Sequence, residues 1–125
     1  MKIVLCAVNA KYIHTNIAVR LIRGYCRNRI DSEISVSEFT INNHTEDIVQ
    51  ELYRQKPDIL AFSCYIWNIE IIKKVSTIIK LMLPHIRIIF GGPEVSYNSC
   101  SILDSFASCD LIVAGEGENS SYQLF

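Results

Sequence analysis

No two cysteines in this sequence are spaced as a CxxC pair. The five, Cys6, Cys26, Cys64, Cys100 and Cys109, stand 20, 38, 36 and 9 residues apart. A disulfide framework or a zinc ribbon needs close, paired spacing, and the count here is odd. Cys6 and Cys64 sit inside apolar runs and read as buried free thiols, while Cys100 and Cys109 read as incidental. A reducing cytoplasm is the expected compartment. Neither sign of charge is in excess: Lys plus Arg number 12 and Asp plus Glu 13, for a formal net charge of −1. That balance argues against a dedicated nucleic-acid binder, which needs surplus basic residues to neutralise phosphates. Long apolar runs are also missing. None approaches the ~20 residues that span a bilayer, so no membrane contact is expected. The opening stretch Met1–Val8 is too short for a secretory signal and reads as a first strand. Repeats, low-complexity tracts and linkers are absent.

Apolar residues, in contrast, make up 50% of the 125. That excludes disorder and fits one domain over residues 1–125. A domain of this size buries roughly two-thirds of its unfolded surface. Four short apolar runs stand out: Ile3–Val8, Ile59–Phe62, Ile86–Phe90 and Leu111–Ala114. Runs of this length, rich in Ile, Val, Leu and Phe, suit strands buried on both faces of a parallel sheet. A fifth segment, Ile34–Ile41, alternates apolar and polar residues and then slips near Glu38, as a half-exposed edge strand would.

Helical spacing fills the gaps. Ile17, Leu21, Ile22 and Tyr25 make one pattern. Ile48, Val49, Leu52 and Tyr53 make a second, with Thr45 as the expected N-cap and a stop before Pro57. Ile69, Ile72, Val75, Ile78, Ile79 and Met82 make the longest, ending before Pro84. Ile102, Leu103 and Phe106 form a short pattern, and a last helix begins near Glu118. The βα alternation predicts an α/β, flavodoxin-like (Rossmann-like) fold. It has a five-stranded parallel sheet in the order 2-1-3-4-5 and helices on both faces. The sequence stops about two turns into that last helix without a linker, so a piece of a longer protein is expected.

Ligands of such sheets bind beyond the carboxyl ends of the strands, at the switch in strand order. The loops there are Asn9–Asn16, Ser63–Asn68, Gly91–Asn98 and Gly115–Asn119, and they hold four of the five glycines. Glycine lets another group come close to the backbone; it also simply punctuates turns. Common ligands fail on particular residues. The loop after the first strand has no glycine for a dinucleotide fingerprint, no P-loop exists, and that loop offers only Thr15 toward a flavin phosphate site. A receiver domain needs an Asp at the end of the third strand. That strand ends in Ser63, with Asp58 at the opposite end.

The loops together carry a resemblance. Val8-Asn9-Ala10-Lys11-Tyr12-Ile13-His14-Thr15-Asn16, then Gly91-Gly92-Pro93-Glu94, then Gly115-Glu116-Gly117-Glu118 resemble the N-terminal cobalamin (B12)-binding domain of B12-dependent radical SAM proteins. The similarity spans essentially all 125 residues. It implies a cobalamin whose nucleotide tail runs into the sheet while the corrin lies over the strand ends. The contacts it implies come from Asn9, Lys11, Tyr12 and His14 after the first strand. They continue with Ser63, Tyr65 and Trp67 after the third, Gly91, Gly92, Pro93 and Glu94 after the fourth, and Gly115, Glu116, Gly117 and Glu118 after the fifth. Tyr65 and Trp67 read equally as corrin contacts or core.

Many B12 domains of this fold carry DxHxxG after the first strand, with the His on cobalt. Asn9, Lys11 and His14 occupy the Asp, His and Gly positions here. An amine with an ordinary pKa of about 10.4 is protonated and has no lone pair for cobalt. No protein ligand to the metal is therefore expected from this loop, His14 being the alternative donor or else a polar residue near a helix start. No residue is assigned a catalytic role. The resemblance places a [4Fe-4S] cluster and S-adenosylmethionine in a C-terminal radical SAM domain of the same protein, because CxxxCxxC does not occur in these residues. The chain reads as the cofactor-binding module of an enzyme of methyl-transfer or related radical chemistry. The alternatives are a flavin or nucleotide domain of the same fold, or an interaction module without ligand.

Overall fold

The computed structural model describes residues 2–10, 33–92 and 108–113. Five strands form one sheet: β1 (Lys2–Asn9), β2 (Glu33–Thr40), β3 (Ile59–Ser63), β4 (Arg87–Gly91) and β5 (Leu111–Val113). Their order is β2-β1-β3-β4-β5 and every neighbouring pair is parallel. This is the expected topology, with β2 at an edge. Two helices are described, α1 (Thr45–Gln55) and α2 (Ile69–Met82). The helical patterns expected at Ile17–Tyr25, at Ile102–Phe106 and from Glu118 lie outside the described residues.

The continuous apolar runs are strands because both faces of the sheet are buried. Val4, Cys6, Val8, Leu60, Phe62, Ile88 and Phe90 face α1 and α2, which contribute Ile48, Leu52, Ile72, Val75 and Ile79. Phe62 and Phe90 meet edge to face, ring centroids 6.0 Å apart. The intervening residues Ile3, Leu5, Ala7, Ile59 and Ile89 make a second buried cluster on the other face. Each fully buried aliphatic or aromatic side chain contributes about 1.5–3 kcal/mol.

Two expectations at element boundaries are corrected. The β1–β2 register runs unbroken from Lys2↔Glu33 to Asn9↔Thr40, so there is no slip at Glu38. The change in sequence pattern has another cause: Ile34 and Val36 pack on the second cluster, whereas Phe39 packs on the first. The N-cap of α1 is His44, not Thr45. The His44 carbonyl takes the first helical bonds, from the Asp47 and Ile48 N–H groups at 3.1 and 3.2 Å, which leaves Thr45 as the first helical residue. The helix ends as expected before Pro57, at Lys56 in a left-handed conformation (φ 49°) with its ammonium 3.4 Å from the Tyr53 ring centre.

Acidic side chains tie the amino edge of the sheet. Asp58 accepts from the Lys2 backbone N–H at 2.7 Å. Asp110 accepts from the Ile88 N–H at 2.8 Å and from the Lys80 ammonium at 2.7 Å. These bonds hold the entry of β5 against β4 and the last turn of α2.

Candidate functional site

All five strands point the same way, so their carboxyl ends gather at one edge. The order reverses between β1 and β3, and the crevice of a doubly wound sheet lies at that reversal. The register defines what stands there. Ala7 pairs with Ser63, and Ser63 with Gly91, in one row across three strands. Side chains alternate along a strand. Ser63 and Gly91 therefore share the face of Ala7, Ala61 and Ile89, away from α1 and α2. At the switch point that face carries a methyl, a hydroxymethyl and a hydrogen, where one row earlier it carries Leu5, Ala61 and Ile89. Asn9 reaches two residues beyond Ala7 and is still paired, to Thr40 of β2. Asn9, Thr40 and Ser63 are each nearly buried.

Asn43 closes the end of β2. Its Oδ1 accepts from the Thr40 N–H at 2.7 Å, and the Asn43 N–H donates to the Thr40 carbonyl at 3.0 Å. Across the sheet, the Cys64 N–H donates to the Gly91 carbonyl at 2.7 Å, carrying the β3–β4 contact one residue past the ladder. Gly92 follows with φ +101°. Its missing side chain has a local cause, since a Cβ there would sit 2.5 Å from the Cys64 carbonyl oxygen.

Residues 65–68 form a turn at the rim. Tyr65 and Trp67 stack with ring centroids 4.5 Å apart and planes 3° from parallel. Trp67 is 46% exposed and Ile66 78%, so Trp67 is not a core residue. The turn is held by Asn68, which is completely buried. Its Oδ1 accepts from the Tyr65 N–H at 2.8 Å, and its Nδ2 donates to the carbonyls of Val8 and Ser63, both at 3.0 Å. Sequence reading passed over Asn68. Its position before a helical pattern is that of an ordinary N-cap, and nothing local announces a partner in β1.

Of the residues the sequence proposes, the fold brings together Asn9, Ser63, Tyr65, Trp67, Gly91 and Gly92. Lys11, Tyr12, His14, Pro93, Glu94, Gly115, Glu116, Gly117 and Glu118 lie outside the described residues. Among the described residues no three His, Cys, Asp or Glu side chains cluster as metal ligands. Cys6, Cys64 and Cys109 are buried and form no disulfide. Burial pushes the Cys6 thiol far above its ordinary range and Cys109 up to about 11. Neither is a nucleophile at neutral pH. A depression of about 250 Å³ opens at the opposite, amino edge between Lys56, Asp58, Met82 and His85, away from the switch point. No helix among the described residues is long and apolar enough to cross a membrane.

The chain is 35% identical over 69 residues to the cobalamin-dependent radical SAM methyltransferase TokK of Streptomyces tokunonensis. It is 35% identical over 68 residues to the 2-(S-pantetheinyl)-carbapenam-3-carboxylate methyltransferase of Streptantibioticus cattleyicolor. These matches take in 55% and 54% of this chain but 10% of each relative's length. Among solved structures, the cobalamin-dependent S-adenosylmethionine radical enzyme OxsB, with aqua-cobalamin and S-adenosylmethionine bound, superposes on 98% of this chain. The TM-score is 0.81 at 16% identity, over 18% of OxsB. A cobalamin-binding protein from Desulfitobacterium hafniense superposes with a TM-score of 0.67 at 17% identity, covering 98% of this chain and 57% of its own. A type II dehydroquinase from Butyrivibrio crossotus reaches 0.63 at 14% identity, covering 99% and 94%, so the fold alone does not specify the ligand. The model of the B12 binding domain family matches residues 3–125. This chain therefore belongs to the B12-binding domain family.

Proposed function

We propose that the domain holds cobalamin at the carboxyl edge of its sheet, with the nucleotide tail directed along the Ala7–Ser63–Gly91 row and the corrin over the strand ends. The observation that carries this reading is that row of small residues at the switch point, in a chain matching the B12-binding family over residues 3–125. One row earlier the outer positions carry Leu5 and Ile89, side chains larger than those of Ala7 and Gly91 at the switch point. The Ser63 hydroxyl supplies a donor and an acceptor there. The stacked Tyr65–Trp67 pair offers an exposed aromatic surface beside it. Lys11, Tyr12, His14, Pro93, Glu94 and residues Gly115 to Glu118 complete the proposed contacts. Cobalt takes no side-chain ligand from the loop after β1.

The module serves a larger radical SAM enzyme of the methyltransferase class. Cobalamin carries the reactivity, this domain supplies position and environment, and the [4Fe-4S] cluster and S-adenosylmethionine belong to a separate domain. The 35% identity to TokK supports this reading. Cys6 and Cys109, buried and outside any disulfide, support a reducing, cytoplasmic setting.

Absorbance titration tests the proposal. Added hydroxocobalamin changes its visible spectrum on mixing with the purified chain, or with a version carrying its native C-terminal extension. An unchanged spectrum at high micromolar cofactor with the longer version refutes it. A thermal-shift panel of FMN, NAD and ATP identifies the competing flavin or nucleotide reading, since a specific ligand raises apparent stability.

A further inference from the structure

We infer that Asn68 is the positioning residue of the cofactor crevice. One buried side-chain amide sets both the spacing of β1 and β3 at the switch point and the pose of the Tyr65–Trp67 pair. The inference rests on the cobalamin reading for its consequence, though not for its geometry.

The β1–β3 ladder ends at Ala7↔Ser63. At the end of that ladder the carbonyls of Val8 and Ser63 both lie within reach of one side chain. Asn68 donates one Nδ2 hydrogen to each, at 3.0 Å. Its remaining polar atom, Oδ1, takes the Tyr65 N–H at 2.8 Å. The Asn68 and Ile69 N–H groups close the same turn on the Tyr65 carbonyl, at 3.2 and 3.0 Å. Asn68 is the N-cap of α2, but its side chain makes no capping bond to the helix. A cap contributes about 1 kcal/mol, and here that use is given up for three bonds that tie β1, β3 and the aromatic turn into one unit. No other side chain has the required pattern at this length. Aspartate has the shape but no donors, and serine has only one.

Trp67 is the only tryptophan in the chain, so its fluorescence reports the turn directly. The test compares the unmodified chain with Asn68→Asp and Asn68→Ser, measuring Trp67 emission without cofactor and its quenching by hydroxocobalamin. The expected result is a shifted apo emission and about tenfold or more weaker quenching affinity in both variants. Wild-type emission and affinity in the Asp variant overturn the inference. If both variants fail to fold, the unmodified chain still decides. A slowly exchanging Asn68 side-chain amide in NMR supports the tie, and exchange at the free-amide rate overturns it. Absence of any quenching in the unmodified chain counts against cobalamin binding alone. Apo emission and amide exchange then judge Asn68 independently.

Discussion

The α-carbon of Gly92 lies so close to the Cys64 backbone that a Cβ would sit 2.5 Å from the Cys64 carbonyl oxygen and 2.9 Å from its nitrogen. Both contacts are to backbone, which cannot swing aside. Gly92 also has φ +101°, a conformation other residues rarely adopt. Gly92→Ala is therefore expected to lower stability by about 3 kcal/mol. A chemical denaturation midpoint equal to that of the unmodified chain would show that the loop can relax around a methyl group.

Gly91, one residue earlier, has a different role and predicts a different outcome. It sits in the row Ala7–Ser63–Gly91 and is not among the positive-φ residues. Gly91→Val suits a strand and fills the row. It should weaken hydroxocobalamin binding about tenfold or more, as a side chain in the ligand's path does, while the thermal midpoint stays near the unmodified value. Equal affinity in a spectral titration would move the tail's path elsewhere.

Asp110 contributes to stability through its acceptor oxygen more than through its charge. Removing it in Asp110→Ala leaves the Ile88 N–H without its partner and should cost about 1–3 kcal/mol. Asp110→Asn keeps an acceptor and should cost less. Lys80→Met removes only the partly exposed ion pair and the bond to the Ile86 carbonyl, and should cost about 1 kcal/mol. Urea melts of the three variants check this order.

The Cys109 thiol predicts a pH dependence. Burial raises its pKa from 9.0 to about 11, so the folded state keeps a proton that the unfolded chain releases. Stability from this group is fully present below pH 9 and is lost as pH rises through about 11. At pH 9 iodoacetamide should label Cys109 readily only in denaturant, with peptide mass spectrometry as the measure. Rapid labelling of the native chain would contradict the burial.

The strands were legible because a parallel sheet buried on both faces needs unbroken apolar runs, and Ile3–Val8 or Ile86–Phe90 satisfy few other structures. The edge position of β2 was legible in its alternation, although Phe39, an apolar residue on the face opposite Ile34 and Val36, imitates a register slip. His44 displaced Thr45 as N-cap because the turn built by Thr40 and Asn43 starts the helix one residue early, which residue preference alone does not reveal. The shared edge of Asn9, Ser63 and Gly91 was legible from the rule that the carboxyl ends of parallel strands gather on one side. Asn68 was not. Its partners are set by tertiary packing, and a short-range reading sees only an asparagine ahead of a helix.

The bond from Asn68 to the Val8 carbonyl joins residues 60 apart, and this has a consequence for the order in which the chain assembles. The Asn68 side chain cannot complete its bonds on local contacts, because one of its partners lies in β1. Closing so long a loop carries an entropic cost that must be met before the bond can form. The two halves of the sheet, one on each side of the switch point, are thus committed together. The crevice between them takes shape late in folding, when both strands are already in register.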